Sequence, residues 1–105
     1  MQSDKISATK LHCKYCFDVL IAKLSNKDIP PYPTQLPDPK TPIFVTWKIK
    51  DDLRGCIGTF EPSLLSNILP KYALISALQD TRFDPVTLPE VKTLNVGVSL
   101  LVNFE

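Results

Sequence analysis

Apolar residues along this chain change their period several times, and each change marks an element. From Thr9 to Asn26, the residues Cys13, Cys16, Phe17, Leu20 and Leu24 recur at steps of three and four, the spacing of one helix face. Ser7 or Thr9 offers an N-cap oxygen, and Asn26 with the prolines after it stops the helix. The period then drops to two. Ile43, Val45, Trp47 and Ile49 alternate with Phe44, Thr46, Lys48 and Lys50, as along a strand. Asp51-Asp52 separates this strand from a second one, Leu53 to Phe60, and the two are expected to pair as an antiparallel hairpin. Neither aspartate is a glycine, so a slightly longer loop than two residues is expected there. After Glu61-Pro62-Ser63, the residues Leu64, Leu65 and Ile68 predict a short helical turn. A second helix is expected from about Pro70 to Gln79, with Pro70 in the first turn and Ala73, Leu74, Ala77 and Leu78 as its buried stripe. Glu90 to Thr93 reads as one helical turn, and Leu94 to Phe104 alternates again as a third strand.

Composition refines this picture. Six of the ten prolines lie between Pro30 and Pro42, a density that sustains neither a helix nor an inner strand. We read it as a stiff connector crossing the surface rather than a polyproline ligand. The chain therefore divides into an N-terminal helix region, 1–29, a proline-rich loop, 30–42, and a unit of hairpin, helix and third strand, 43–105. A length of 105 residues suits one domain, and 44% apolar residues suit a globular one with a modest core. A net charge of +1 favours no strongly charged partner. Met1 to Lys10 lacks the apolar run of a secretory leader, and no stretch approaches the roughly 18 apolar residues of a membrane span. The expected setting is intracellular, cytoplasmic or nuclear, with no membrane contact. Three cysteines without a leader point to reduced thiols.

Chemistry concentrates on one stretch. Leu53-Arg54-Gly55-Cys56-Ile57-Gly58-Thr59-Phe60 carries an arginine, a cysteine and two of the three glycines. Strand parity puts Arg54, Cys56, Gly58 and Phe60 on one face, so Arg54 and Cys56 are expected as neighbours lining a cleft. Gly58 is expected to leave a gap there for a ligand, so that Gly58→Val would disturb ligand capture more than folding. Asp80 and Arg82, in a charged loop anchored by Phe83, are expected either to pair with each other or to reach this strand and orient Arg54. Cys13-Lys14-Tyr15-Cys16 with His12 has a metal-like spacing, yet a structural zinc site needs four ligands and the only other cysteine is Cys56. Cys13 and Cys16 are therefore read as packing residues, with no metal and no cofactor implied.

Leu53-Arg54-Gly55-Cys56-Ile57-Gly58 resembles the signature hexapeptide of the AMMECR family. The likeness continues, in order, through Tyr15-Cys16-Phe17-Asp18-Val19-Leu20, Phe44-Val45-Thr46-Trp47-Lys48-Ile49, Ser76-Ala77-Leu78-Gln79-Asp80 with Arg82-Phe83, and Val98-Ser99-Leu100-Leu101 with Asn103-Phe104-Glu105. The resemblance implies an α+β fold of two unequal subdomains, each with an antiparallel sheet and packed helices, and hexapeptide side chains facing the cleft between them. It also implies that similar members continue well past Glu105, so the domain is expected to be incomplete here. An exposed sheet edge left that way invites self-association. The family's molecular activity is not established.

Three functions are weighed. In the first, the chain is a binding or scaffold protein that holds a peptide or protein segment beside Leu53 to Phe60, through Arg54, Gly55, Cys56 and Gly58 and, by resemblance, Asp80 and Arg82. Arg54 would serve there as a donor fork toward a carboxylate or carbonyl. In the second, Cys56 is a nucleophile, for which Arg54 is the only local activating group and His12 would have to approach. In the third, the chain is a nucleic-acid-related regulator, a reading that the near-neutral charge argues against. The first is preferred.

Overall fold

A computed structural model describes residues 8–100. Helix α1, Lys10–Leu24, is followed by strands β1, Lys40–Ile49, and β2, Asp52–Leu64, then helix α2, Leu65–Leu78, a 3-10 helix at Leu88–Thr93 and strand β3, Leu94–Leu100. The strands form one antiparallel sheet in the order β2-β1-β3. The last part of the expected third strand, 101–104, lies outside the described residues.

β1 is central, and its alternation builds the core. Ile43, Val45 and Trp47 are fully buried, and their cross-strand partners are Thr59, Ile57 and Gly55 on β2 and Leu100, Val98 and Val96 on β3. They pack on Cys16, Val19 and Leu20 of α1 and on Leu65, Ile68, Leu69, Ala73 and Ala77 of α2. Both helices thus cover the same face of the sheet. Phe44, Thr46 and Lys48, with Gly58 and Cys56 on one side and Ser99, Gly97 and Asn95 on the other, make up the opposite face. None of these residues is buried.

Several elements differ from the sequence reading. β1 begins within the proline loop and contains Pro42, which a central strand normally excludes because it lacks a ladder N–H. A register shift between Thr41 and Ile43 accommodates it, with Thr41 opposite Ser63 and Ile43 opposite Thr59. The hairpin link is two residues, Lys50-Asp51, since Ile49 pairs with Asp52. Lys50 takes the left-handed conformation, φ 56°, that glycine would have signalled. The turn at Leu64 to Ile68 and the second helix are one element, with Pro70 inside it. Burial on both sides of the proline, by Leu65, Ile68 and Leu69 before it and Ala73, Ser76 and Ala77 after it, holds the helix together. The proline loop caps its start. Asp38 accepts from the Ser66 N–H and Oγ, both at 2.7 Å, and Pro39 O accepts from Leu65 N–H at 3.0 Å.

On α1 the buried side chains are His12, Tyr15, Cys16, Val19, Leu20 and Ala22, while Cys13, Phe17 and Leu24 are half-buried. The buried stripe is rotated from the expected one because α1 packs against α2 as well as β3. Thr9 is the N-cap, and its N–H donates to His12 Nδ1 at 2.9 Å. His12 therefore stands where a capping box usually has Glu or Gln. Its Nδ1 is an acceptor, so the ring is neutral with its proton on Nε2. Burial pushes its pKa below the ordinary value. A histidine with a lowered folded pKa binds protons more readily in the unfolded chain. Stability is therefore expected to fall as pH drops below about 6.5, the unfolded value. Urea unfolding of the parent and His12→Gln between pH 7.5 and 5 checks this. Glutamine keeps the acceptor without titrating, so its curve should be flatter.

Candidate functional site

The Leu53 to Phe60 stretch lies on β2, at the edge of the sheet. Its register against β1 shifts by one residue, since Trp47 faces Gly55 but Lys48 faces Leu53. Arg54 is the extra residue of a β-bulge, which re-aims the side chain it carries. Its guanidinium meets Glu90 side-on, Nε to Oε2 at 3.1 Å and Nη2 to Oε1 at 3.0 Å. It also donates to the carbonyls of Asp84, at 2.6 Å, and Pro85, at 3.3 Å. The side chain is only 16% exposed. Arg54, with the Thr87 N–H second, holds the Glu90 carboxyl below its ordinary pKa. Simple parity failed here because an inserted residue interrupts the period of two. Arg54 braces the 3-10 helix, and its fork is filled by Glu90. Sequence reasoning missed Glu90, although Thr87-Leu88-Pro89-Glu90 has the capping-box pattern, and Thr87 N–H does donate to Oε1 at 2.9 Å.

Cys56 sits elsewhere. Its thiol meets Thr46 Oγ1 at 3.1 Å across the hairpin, on the face away from the helices. The Cys56 N–H points out of the sheet to Asp80 Oδ2 at 3.0 Å, and the Cys56 carbonyl accepts from Arg82 Nη2 at 3.2 Å. Asp80 and Arg82 form a fork of their own, Nε to Oδ1 at 2.9 Å and Nη2 to Oδ2 at 2.6 Å. Both sequence readings of this pair therefore hold together in part, since the two residues join each other and also reach the strand. They grip the backbone of Cys56 and leave Arg54 alone. Together they supply one acceptor and one donor where a neighbouring strand would, which shields an otherwise open edge. Asp80 is nearly buried. Hydrogen bonds from Arg82, and then from the Cys56 N–H, hold its carboxyl well below the usual range, so it stays charged at neutral pH.

Gly55 and Gly58 answer to packing. A side chain on Gly55 would strike the Ser76 carbonyl of α2, so the missing Cβ is what lets helix and strand approach. At Gly58 the gap expected for a ligand is filled from within. A Cβ there would meet the Ile43 carbonyl and lie 2.6 Å from both Cα and Cγ of Phe44. Phe44 in turn packs edge-on against Phe60, centroids 5.2 Å apart. Gly58→Val is therefore a folding lesion first, contrary to the sequence expectation.

Beside the Asp80-Arg82 fork lies an open hollow of about 460 Å³ lined by Arg54, Thr81, Arg82, Phe83 and Asp84. The Arg82 guanidinium carbon stands 5.4 Å from the Phe83 ring centroid. Arg54 and Arg82 share this hollow, while Cys56 does not line it. His12 is buried at the start of α1 and bonded to Thr9, so it is not engaged with Cys56. Cys16 is fully buried in the core, where burial, and then neighbouring Cys13, push its thiol pKa up. Cys13, on α1, is half-buried, with its thiol 3.5 Å from the Val96 carbonyl oxygen of β3.

The fold and site define an α+β domain with two helices on one face of a three-stranded antiparallel sheet and a guanidinium-carboxylate fork capping one position, Cys56, on a sheet edge. Residues 13–105 match the AMMECR1 family model, and the chain belongs to that family. It is similar to an uncharacterised protein of Arabidopsis thaliana, 39% identical over 105 residues covering 95% of this chain and 48% of the relative. An uncharacterised protein of Kluyveromyces lactis is 49% identical over 70 residues, 63% of this chain and 31% of that protein. The crystal structure of an uncharacterised protein from Pyrococcus horikoshii superposes with a TM-score of 0.76 at 33% identity, covering 85% of this chain and 48% of that one. The chain thus spans about half or less of the length of these relatives.

Proposed function

We propose that this chain is a binding module that holds a protein or peptide segment against the edge of β2, beside the Asp80-Arg82 fork. One observation carries the reading. Arg82 is locked by Asp80 yet 57% exposed, and its Nη1 makes no hydrogen bond among the described residues. A guanidinium already fixed in place, with donors to spare above a polar hollow, is a preorganised grip for a carbonyl or carboxylate. The donor role first considered for Arg54 passes to Arg82, because Arg54 spends its fork on Glu90. The thiol reading is carried by less, since the groups that meet Cys56 are the Thr46 hydroxyl and the backbone partners Asp80 and Arg82.

Affinity capture on the immobilised chain tests this. Arg82→Gln is expected to weaken capture of a given partner about tenfold, the worth of one charge-assisted hydrogen bond, while Cys56→Ser leaves it unchanged. Loss of capture in Cys56→Ser with retention in Arg82→Gln would favour the nucleophile instead.

A further inference from the structure

We propose that the segment binds by strand addition: an extended peptide pairs with the β2 backbone at Gly58 and presents a carboxylate to Arg82. This rests on the binding reading above and adds its mode and the chemistry of the partner. The argument begins with hydrogen-bond parity. Opposite residues in an antiparallel pair alternate between exchanging backbone bonds and pointing those groups away from each other. Cys56 sends its N–H to Asp80 and its carbonyl to Arg82, so the pair Thr46 and Cys56 is of the second kind. The register runs unbroken from Ile43 opposite Thr59 to Trp47 opposite Gly55. Gly58, two residues from Cys56, must then also turn its N–H and carbonyl outward, away from β1. Among the described residues neither group has a hydrogen-bond partner.

The β2 edge thus carries two successive outward positions in opposite states. The one at Cys56 is occupied by side chains that imitate a strand, and the one at Gly58 has no partner among the described residues. A peptide strand laid along the edge can exchange both backbone bonds with Gly58, but it meets the Asp80-Arg82 fork two positions further on. It must end or turn away there. The group facing it at that point is the Arg82 guanidinium with its Nη1 donors unspent, and charge complementarity selects a carboxylate, from an acidic side chain or from the peptide's own C-terminus. Phe60, 77% exposed and packed edge-on against Phe44, supplies an aromatic platform at the other end of the same short stretch. Recognition by main-chain bonds with one charged terminus and one aromatic contact suits an extended acidic peptide.

The test is selection of random decapeptides displayed on phage against the immobilised chain, followed by synthesis of the recovered sequences with free and with amidated C-termini. Amide exchange at Gly58 is followed by NMR. The expected result is recovery of peptides with an acidic residue or an acid-dependent C-terminus, which slow Gly58 exchange at least about tenfold when bound. Their affinity should fall about tenfold in Arg82→Gln and measurably in Phe60→Ala, a change at an exposed side chain. Amidation separates the sources, because only a C-terminal carboxylate is lost by it. Should Arg82→Gln fold poorly, the Gly58 exchange on the parent chain and the Phe60→Ala affinity still decide. Peptides that bind, and weaken in Arg82→Gln, while leaving Gly58 exchange unchanged would overturn strand addition but keep the binding reading. Recovery of no peptide would overturn both. Protection of Gly58 that rises with the concentration of the free chain would assign the edge to a second copy and overturn the peptide.

Discussion

Trp47→Ala is expected to destabilise the domain by about 3–5 kcal/mol, the usual cost of deleting a buried tryptophan. The side chain is the largest that is fully buried, and it lies on the middle strand, two residues from the end of β1. Its ring meets Phe17 of α1 edge-on, centroids 5.2 Å apart, and its Nε1 donates to Ser76 Oγ at 3.0 Å and Ala73 O at 3.2 Å on α2. One residue therefore joins both helices to the sheet. Domains have only about 5–15 kcal/mol in all, so the variant should be largely unfolded under mild denaturant. Trp47→Phe separates the contributions. It keeps most of the volume and loses the N–H, and is expected to cost about 1–3 kcal/mol. Urea unfolding with a constant slope reads both, and a loss below about 1 kcal/mol for Trp47→Ala would mean that the core is not organised around this ring.

The glycines should separate just as sharply. Gly55→Val is expected to abolish cooperative folding and Gly55→Ala to cost about 2–3 kcal/mol, because the new Cβ meets the backbone of α2 at Ser76 rather than a flexible side-chain tip. Gly58→Ala should also destabilise, through the backbone of β1 at Ile43 and Phe44. Gly97 is the internal control. Nothing lies within 4 Å of a Cβ built there, so Gly97→Ala should stay within about 0.5 kcal/mol of the parent. Equal effects at Gly55 and Gly97 in thermal or urea melts would show that the close approach of α2 to β2 is not what selects the glycine.

These two results also mark where the sequence could be read and where it could not. Periodicity alone located α1, the two strands of the hairpin and the start of β3, because a period of 3.6 or 2 is written locally in the spacing of apolar residues. The same pattern chose Ile43, Val45 and Trp47 as one face, and the hexapeptide drew attention to β2 through its composition. The strand order was not legible, because β3 lies beside β1 through contacts between residues some fifty positions apart. Nor was the position of Arg54, since a bulge is a property of the pair of strands and reverses what parity says of one of them. Gly58 looked like room for a ligand only while Phe44 was not known to lie over it. Pro70 marked a helix start by propensity, but burial of Leu65, Ile68 and Leu69 extended the helix back through it. Asp80 and Arg82 stood out as a charged pair in the chain, yet only the folded edge of β2 decided that both would hold the backbone of Cys56. Local pattern determines elements and faces; register, bulges and edges are set by which strands meet, and that is a tertiary choice.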